Sequence, residues 1–372
     1  MPFPHRLLTR ISQDVLLLSL LLGLVALVSL RPSALPTLPE LVDWHTLEAL
    51  AGLLVLSRGL EDSGYLARVG RALIGRVHSQ RALALALMGM AALLAAVVTN
   101  DVALFIVVPL TLGLRALAVV PLGRLIVFEA LAVNAGSTLS PVGNPQNLFL
   151  WQACGVSFGG FASTMLPFGL ALLALLAAMV PAAFSAGRVG VNEAGVAPVL
   201  RRPMLWVSAA LYPGFLLAVD LGHAAVAVVV VAGIYLSWFR RVLAGVDWLL
   251  LVVFALMFID LRLLASFGSM AGLVGYVDRF PGAGFTAGVL FSQVLSNVPA
   301  AIFLASFPGP WSALAWGVNA GGFGLALGSL ANLIALRLAA QEGLWRDFHR
   351  WSIPALAGAW IIGWALLRAS GR

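Results

Sequence analysis

The chain has 372 residues, 61% of them hydrophobic and only 10% charged, with a mean hydropathy of +1.01. That composition excludes a soluble domain and points to a polytopic membrane protein. The formal charge of +7 comes from arginine alone. The arginines sit at the ends of apolar runs, so they read as topology signals and not as a nucleic-acid footprint. The single cysteine, Cys154, excludes an internal disulfide and a multi-cysteine metal site.

His5, Arg6 and Arg10 precede the first apolar run, Val15–Leu30. No small-residue cleavage site follows it, and Arg31-Pro32 ends it, so it reads as a retained helix. A proline-rich loop leads to a second run, about 41–56. The segment from Glu61 to Arg81 is too polar to span, yet Tyr65, Leu66, Val69, Leu73, Ile74 and Val77 recur at helical spacing, as in a helix lying in the interface. Residues 82–114 are apolar except for Thr99-Asn100-Asp101 near the centre. Each arm falls short of the ~20 residues needed to cross, so a re-entrant hairpin with a polar tip is expected. A broken helix over 125–151 and a plain span over 158–180 complete the first half, 1–184. A connecting region, 185–222, holds a loop and a linking helix.

The second half, 223–372, repeats the order. It has a span over 224–238, a span opened by Val246-Asp247-Trp248 in echo of Val42-Asp43-Trp44, and an amphipathic stretch flanked by Asp260, Arg262, Asp278 and Arg279. A hairpin over 283–307 with Ser296-Asn297 at its tip follows, then a second broken helix over 311–337 and a last span over 353–367.

The two broken helices carry the strongest signal. Residues 133–148 read VNAGSTLSPVGNPQNL and residues 318–333 read VNAGGFGLALGSLANL. Asn134 matches Asn319, Gly136 matches Gly321, Gly143 matches Gly328 and Asn147 matches Asn332, without a gap. Glycine, proline, amides and hydroxyls at membrane depth are tolerated only in protein or against a polar cavity, and paired breaks in two halves mark a transporter's binding site. The candidates are Asn134, Ser137, Thr138, Gly143, Asn144, Gln146, Asn147, Asn319, Gly328, Ser329 and Asn332. Four crossings per half and one linking span make the repeats inverted. With the N-terminus in the cytoplasm, 17 arginines fall inside and five outside, as the positive-inside rule requires.

The tips supply the chemistry. Thr99 and Asn100 in the first hairpin, and Ser296 and Asn297 in the second, place a hydroxyl and an amide at the start of a return helix, whose free N–H groups and dipole attract an anion. Freed carbonyls at such breaks coordinate Na⁺, so a sodium site is expected near Thr99, Asn100, Asp101, Ser296 and Asn297. Asp101 is an acid at depth, a functional residue by default. It binds a proton or a cation, or only caps its helix. Glu129 is read as an interfacial partner of Arg124 in preference to a proton carrier. The five histidines are read as solvated, and Trp151, Trp311, Trp345 and Trp351 as an interfacial belt. The glycine-rich runs lack a P-loop pattern, so no cofactor is expected beyond Na⁺ or H⁺ as coupling ion. A channel and a membrane-embedded enzyme are the rival classes; the enzyme would need a nucleophile, base or metal cluster, and no histidine adjoins Asp101 in sequence.

Thr99-Asn100-Asp101, Gly143-Asn144-Pro145-Gln146-Asn147 and Ser296-Asn297-Val298-Pro299, set in two inverted repeats, resemble the ion transporter superfamily. That group includes divalent anion–sodium symporters, arsenite permeases, sodium–proton antiporters and other carriers with a citrate transporter-like domain. The resemblance covers almost the whole chain. It implies an all-α polytopic fold with a re-entrant hairpin and a broken helix in each repeat, elevator-type movement of a small anion or oxyacid, and a homodimer. In the symporters each tip reads Ser-Asn-Thr. Here Asp101 and Val298 replace the final threonine, which removes two hydroxyls that would hold a carboxylate. The expected function is secondary transport coupled to H⁺ or Na⁺ across the inner membrane.

Overall fold

The computed structural model describes residues 15–74, 77, 79–114, 120–187, 199–277 and 282–369. The first half comprises α1 (Val15–Leu30), a 3-10 segment with internal prolines (Pro32–Leu41), α2 (Trp44–Asp62) and α3 (Tyr65–Ile74). Then come α4 (Gln80–Val97), α5 (Asn100–Gly113), α6 (Leu122–Ser137), α7 (Pro145–Cys154) and α8 (Phe158–Ala183). α9 (Arg202–Asp220), α10 (Ala224–Trp238) and α11 (Arg240–Gly245) lead to α12 (Leu249–Ala265) and α13 (Gly268–Val277). The chain closes with α14 (Ala283–Leu295), α15 (Asn297–Leu304), α16 (Trp311–Gly321), a 3-10 turn, α17 (Leu330–Ala339) and α18 (Leu344–Ala369). This is an all-α polytopic membrane protein. Among the described residues, α4, α8, α9 and α18 are each long and apolar enough to cross a bilayer unaided. Leu22, Val25, Val226, Val229 and Ile361 are exposed on α1, α10 and α18, a surface suited to lipid. His5, Arg6, Arg10, Arg76, His78, Arg115, Arg188, Asp278, Arg279 and Arg372 lie outside the described residues.

The polar-tipped segments double back. Met90 of α4 and Leu110 of α5 both come within 3 Å of the point where a Cβ on Gly70 would lie; an unbroken helix would hold them about 30 Å apart. Phe291 of α14 and Phe303 of α15 stack with ring centroids 5.5 Å apart, against about 18 Å in a continuous helix. The reversals fall at Val98-Thr99 and at Ser296. The first outgoing arm, α4, differs from the short arm expected: it is 18 residues long and apolar enough to cross by itself, starting at Ser79, whose hydroxyl caps it by accepting from the Ala82 N–H.

Small residues let the central helices touch. A Cβ on Gly136 of α6 would lie 2.2 Å from the Ala92 carbonyl oxygen of α4, and one on Gly317 of α16 would lie 2.3 Å from the Phe285 carbonyl oxygen of α14. Lipid gives helices no hydrophobic reason to associate, so close backbone packing of this kind holds them. α8 and α18 flank the pairs. Phe161 stacks on Trp311 and Phe168 on Trp316, each at 5.1 Å, and Phe128 meets Trp351 at 5.5 Å. α2 packs mainly against α9 and α10, where Gly52 and Gly59 make room for Phe215 and for the Tyr235 hydroxyl, and more lightly against α7, α12 and α5. α1 packs on α12, and α13 turns away from α12 by 84°.

Contacts between distant segments agree with the relative sides assigned from the arginines. Arg31 donates to Ser266, and Arg262 pairs with Asp43 at 3.4 Å, both on the face read as external. On the other face the Arg201 N–H reaches the Ser63 carbonyl, Arg81 the Phe184 carbonyl, and Arg124 pairs with Asp347.

Candidate ion and solute site

The two breaks are built alike. α6 ends at Ser137 and α7 restarts at Pro145; α16 ends at Gly321 and α17 restarts at Leu330. Asn144 caps α7 by accepting from the Asn147 N–H at 2.8 Å, and Ser329 caps α17 by accepting from the Ala331 N–H at 3.3 Å. α7 ends on Gly155 and α17 on Ala340, both in the left-handed region. The caps and end residues of the two return helices keep the spacing that separates Asn134 from Asn319.

The asparagines of each break bond to the other break. The Asn134 amide donates to Asn332 Oδ1 at 2.8 Å, and the Asn319 amide donates to Asn147 Oδ1 at 2.7 Å. Asn134 Oδ1 accepts from Ser329 Oγ at 3.0 Å, and Asn319 Oδ1 accepts from Asn144 Nδ2 at 3.0 Å. Asn134 also donates to the Ala130 carbonyl and Asn319 to the Ala315 carbonyl, one turn back in each helix. Asn332 donates to the Gly322 carbonyl and Asn147 to the Ser137 carbonyl. Each bond has its counterpart in the other half, the pattern a two-fold relation produces. Thr138 Oγ1 adds a bond to Asn319, and Ser137 Oγ accepts from Asn144. A Cβ on Gly143 would lie 2.5 Å from the Ser137 carbonyl oxygen, and one on Gly328 2.6 Å from the Gly321 carbonyl oxygen. Asn134, Ser137, Thr138, Asn144, Asn147, Asn319, Ser329 and Asn332 therefore form one buried lock.

The remaining candidates stand outside that lock. Thr99 Oγ1, Asn100 Oδ1, Gln146 Oε1 and Ser296 Oγ are buried and have no hydrogen-bond partner. A buried polar atom left unpaired costs about 1–3 kcal/mol, and these four lie at the starts of α5, α7 and α15. Ser296 adopts φ 75 and ψ 156, a region almost confined to glycine, and strain of this kind clusters at ligand sites. Asn297 is buried, and Asp101 is half-buried in the first turn of α5. α5 packs on α17 and α15 on α7, so each hairpin's return helix lies beside the return helix of the opposite break. Four helix N-termini, at Asn100, Pro145, Asn297 and Leu330, thus open at the helix breaks. The unpaired donor set is oxygen from hydroxyls and amides, which suits Na⁺, and α5 and α15 also start with free N–H groups, which suit an anion. Among the described residues no group of three His, Cys, Asp or Glu could hold a metal ion.

Several sequence readings change. Glu129 does not pair with Arg124. It is fully buried and accepts a hydrogen bond from the Thr111 hydroxyl, while Arg124 turns to Asp347 and the Ala183 carbonyl. Trp151 is buried within the protein and does not face lipid, its indole N–H on the Val156 carbonyl and its ring against Phe158. His349 is not simply solvated, since its Nε2 accepts the Ala326 N–H beside the second break at 3.3 Å. Gln293, which sequence reasoning passed over, ties that break down: its amide donates to the Gly321 carbonyl at 2.8 Å, and its oxygen accepts the Leu325 N–H at 2.7 Å. Its place three residues before the Ser296 tip is the signal that could have exposed it.

Paired broken helices and paired hairpins with unsatisfied oxygens at their ends are the arrangement expected of a membrane transporter. The chain belongs to the family described as Citrate transporter, whose model matches residues 12–321. It is 44% identical over 338 residues to the inner membrane protein YbiR of Escherichia coli, covering 90% of this chain and 91% of that one. It is 30% identical to the uncharacterized transporter MJ0456 of Methanocaldococcus jannaschii, over 80% of this chain and 82% of the other. In fold it is similar to the crystal structure of the Alcanivorax borkumensis YdaH transporter, with a TM-score of 0.60 at 16% identity, over 91% of this chain and 89% of that one. The protein is a multi-pass inner-membrane transporter.

Proposed function

We propose that the chain is a secondary transporter that moves a small anion or oxyacid, coupled to Na⁺ or H⁺. The observation that carries this reading is the set of four buried, unpartnered oxygens at Thr99, Asn100, Gln146 and Ser296 beside helix N-termini. They suit a coupling cation held by oxygens and a solute held by N–H groups, without an arginine. Residues 1–184 and 223–372 act as two inverted repeats joined through 185–222, with the N-terminus in the cytoplasm. The similar builds of the two breaks support the repeats. The mechanism is an elevator: α4–α8 and α14–α18 move together past α1, α2, α9, α10 and α12, with each hairpin able to open locally from the broken helix beside it, and two such chains form a homodimer. The extensive packing of α2 on α9 and α10, and of α4 on α6 and α14 on α16, supports that division, with α2 on α7 and α12 on α15 as the surfaces between the two bodies. Sodium–proton antiport is the second reading, favoured by Asp101, a half-buried acid in the first turn of α5.

The test is thermal stability of the purified protein in Na⁺ against K⁺ from pH 5.5 to 8.5, for wild type and Asp101→Asn. A ligand at about 100 times its Kd adds about 2.7 kcal/mol to the folded state. Selective stabilisation by Na⁺, weaker in the variant, supports a sodium site at the first tip. A response identical in Na⁺ and K⁺ at every pH removes sodium coupling. Counterflow of citrate and arsenite in proteoliposomes then tests the solute class, and flux that shows neither saturation nor counterflow refutes a carrier.

A further inference from the structure

α6 holds a buried acid that the ion and solute site does not use. Glu129 lies on α6 with no exposure. The Thr111 hydroxyl of α5 donates to its Oε1, and its Oε2 is buried without a partner. The charged groups on the surrounding helices turn elsewhere. On α4, Arg81 donates to the Phe184 and Pro181 carbonyls. On α5, Asp101 lies in the first turn, at the far end from Thr111. On α17, Arg337 is exposed. On α18, Asp347 pairs with Arg124, His349 bonds to Ala326 and Trp345, and Arg346, Arg350 and Arg368 are exposed. α8 carries no charge. A carboxylate in such a place would be a bare charge out of water, held by a single hydroxyl, and that is prohibitively costly.

The fold does not require the acid. At the repeat spacing Glu129 corresponds to Leu314. In the second hairpin, aligned on Asn100 and Asn297, Thr111 corresponds to Pro308. Leu314 and Pro308 instead line a cavity of about 360 Å³. The half that carries the acid also supplies the hydroxyl that orients it, and the other half has neither.

We infer that Glu129 is a proton-carrying site of the transporter, gated by the seam between α5 and α6. The inference rests on the transporter reading above and names the proton as a coupling ion. With α5 against α6 the carboxyl keeps its proton on Oε2 and accepts the Thr111 hydroxyl on Oε1. When the first hairpin shifts relative to α6, water reaches Oε2. The O–H bond then breaks, the proton passes to water, and the carboxylate is left hydrated until a proton from the other side returns. Coupling follows because the same hairpin carries Thr99 and Asn100 at its tip.

Infrared spectra of the full-length protein at pH 7 test the first half of this without any solute. Wild type shows a carboxylic C=O band that shifts on deuteration and is absent in Glu129→Gln; in Thr111→Val the band moves to higher frequency as its hydrogen bond is lost. Glu129→Gln, isosteric with the protonated acid, melts no lower than wild type. Absence of that band in wild type, or its persistence in Glu129→Gln, overturns the assignment. In pyranine-loaded proteoliposomes given citrate or arsenite, Glu129→Gln keeps solute counterflow but loses at least ten-fold in the accompanying proton movement. Proton movement equal to wild type refutes the coupling role. If wild type moves neither solute, the substrate reading fails while the infrared band still decides where the proton sits.

Discussion

Asn319→Ala is the sharpest test of the lock between the two broken helices. The side chain donates to Asn147 Oδ1 at 2.7 Å and to the Ala315 carbonyl, and accepts from Asn144 at 3.0 Å and from Thr138 at 3.2 Å. Truncation leaves Asn147 Oδ1 buried with no donor, whereas Asn144 keeps Ser137 Oγ and Thr138 keeps the Asn134 carbonyl. One orphaned oxygen at about 1–3 kcal/mol, together with the lost bond from Asn144, places the cost at about 2–4 kcal/mol. Asn134→Ala removes the matching set, including the bonds to Asn332 and Ser329, and should cost the same within about 1 kcal/mol. A double-mutant cycle on Asn319 and Asn147 isolates the pair. Cross-helix hydrogen bonds in membrane proteins average about 0.6 kcal/mol and reach about 1.7, and the full desolvation of this pair places it at the upper end. The assay is reversible unfolding in mixed micelles, with the Asn134–Asn332 cycle run beside it. A coupling energy within error of zero in both cycles, or a cost at Asn319 below about 0.5 kcal/mol, would refute the claim that these amides lock the breaks.

Two further outcomes follow from the backbone. Gly136→Ala forces a Cβ to 2.2 Å from the Ala92 carbonyl oxygen. Because backbone cannot swing aside, it should cost about 3 kcal/mol, the upper end for overpacking, while Gly159→Ala, with nothing within 4 Å, should stay within about 0.5 kcal/mol; equal melting temperatures would contradict the packing. Ser296→Gly releases backbone strain of about 1–3 kcal/mol and loses about 0.5–1 to glycine's entropy. A net gain of about 1 kcal/mol in unfolding free energy is expected, together with a weaker response to Na⁺; a less stable variant would count against strain at the tip.

Much of this architecture is legible in the chain itself. Composition alone demands a membrane, because no soluble core could bury so much apolar surface. Glycine clusters mark both breaks, and in the first Pro141 and Pro145, which lack the N–H a continuing helix needs, mark it further. The repeat spacing of the chain alone pairs Asn134 with Asn319. Sequence order could not reveal which polar groups satisfy one another. Asn134 and Asn332 are far apart in the chain, and only packing α6 against α17 shows that they are partners and that Thr99, Asn100, Gln146 and Ser296 are not. Local spacing also misled at Glu129, where Arg124 on the same helix suggested an interfacial pair. α6 turns the two side chains to different neighbours, one to the Thr111 hydroxyl and the other to Asp347. Periodicity and breakers act within a few residues and are written in the sequence, whereas the satisfaction of buried donors and acceptors depends on which helices meet, and tertiary structure alone decides that.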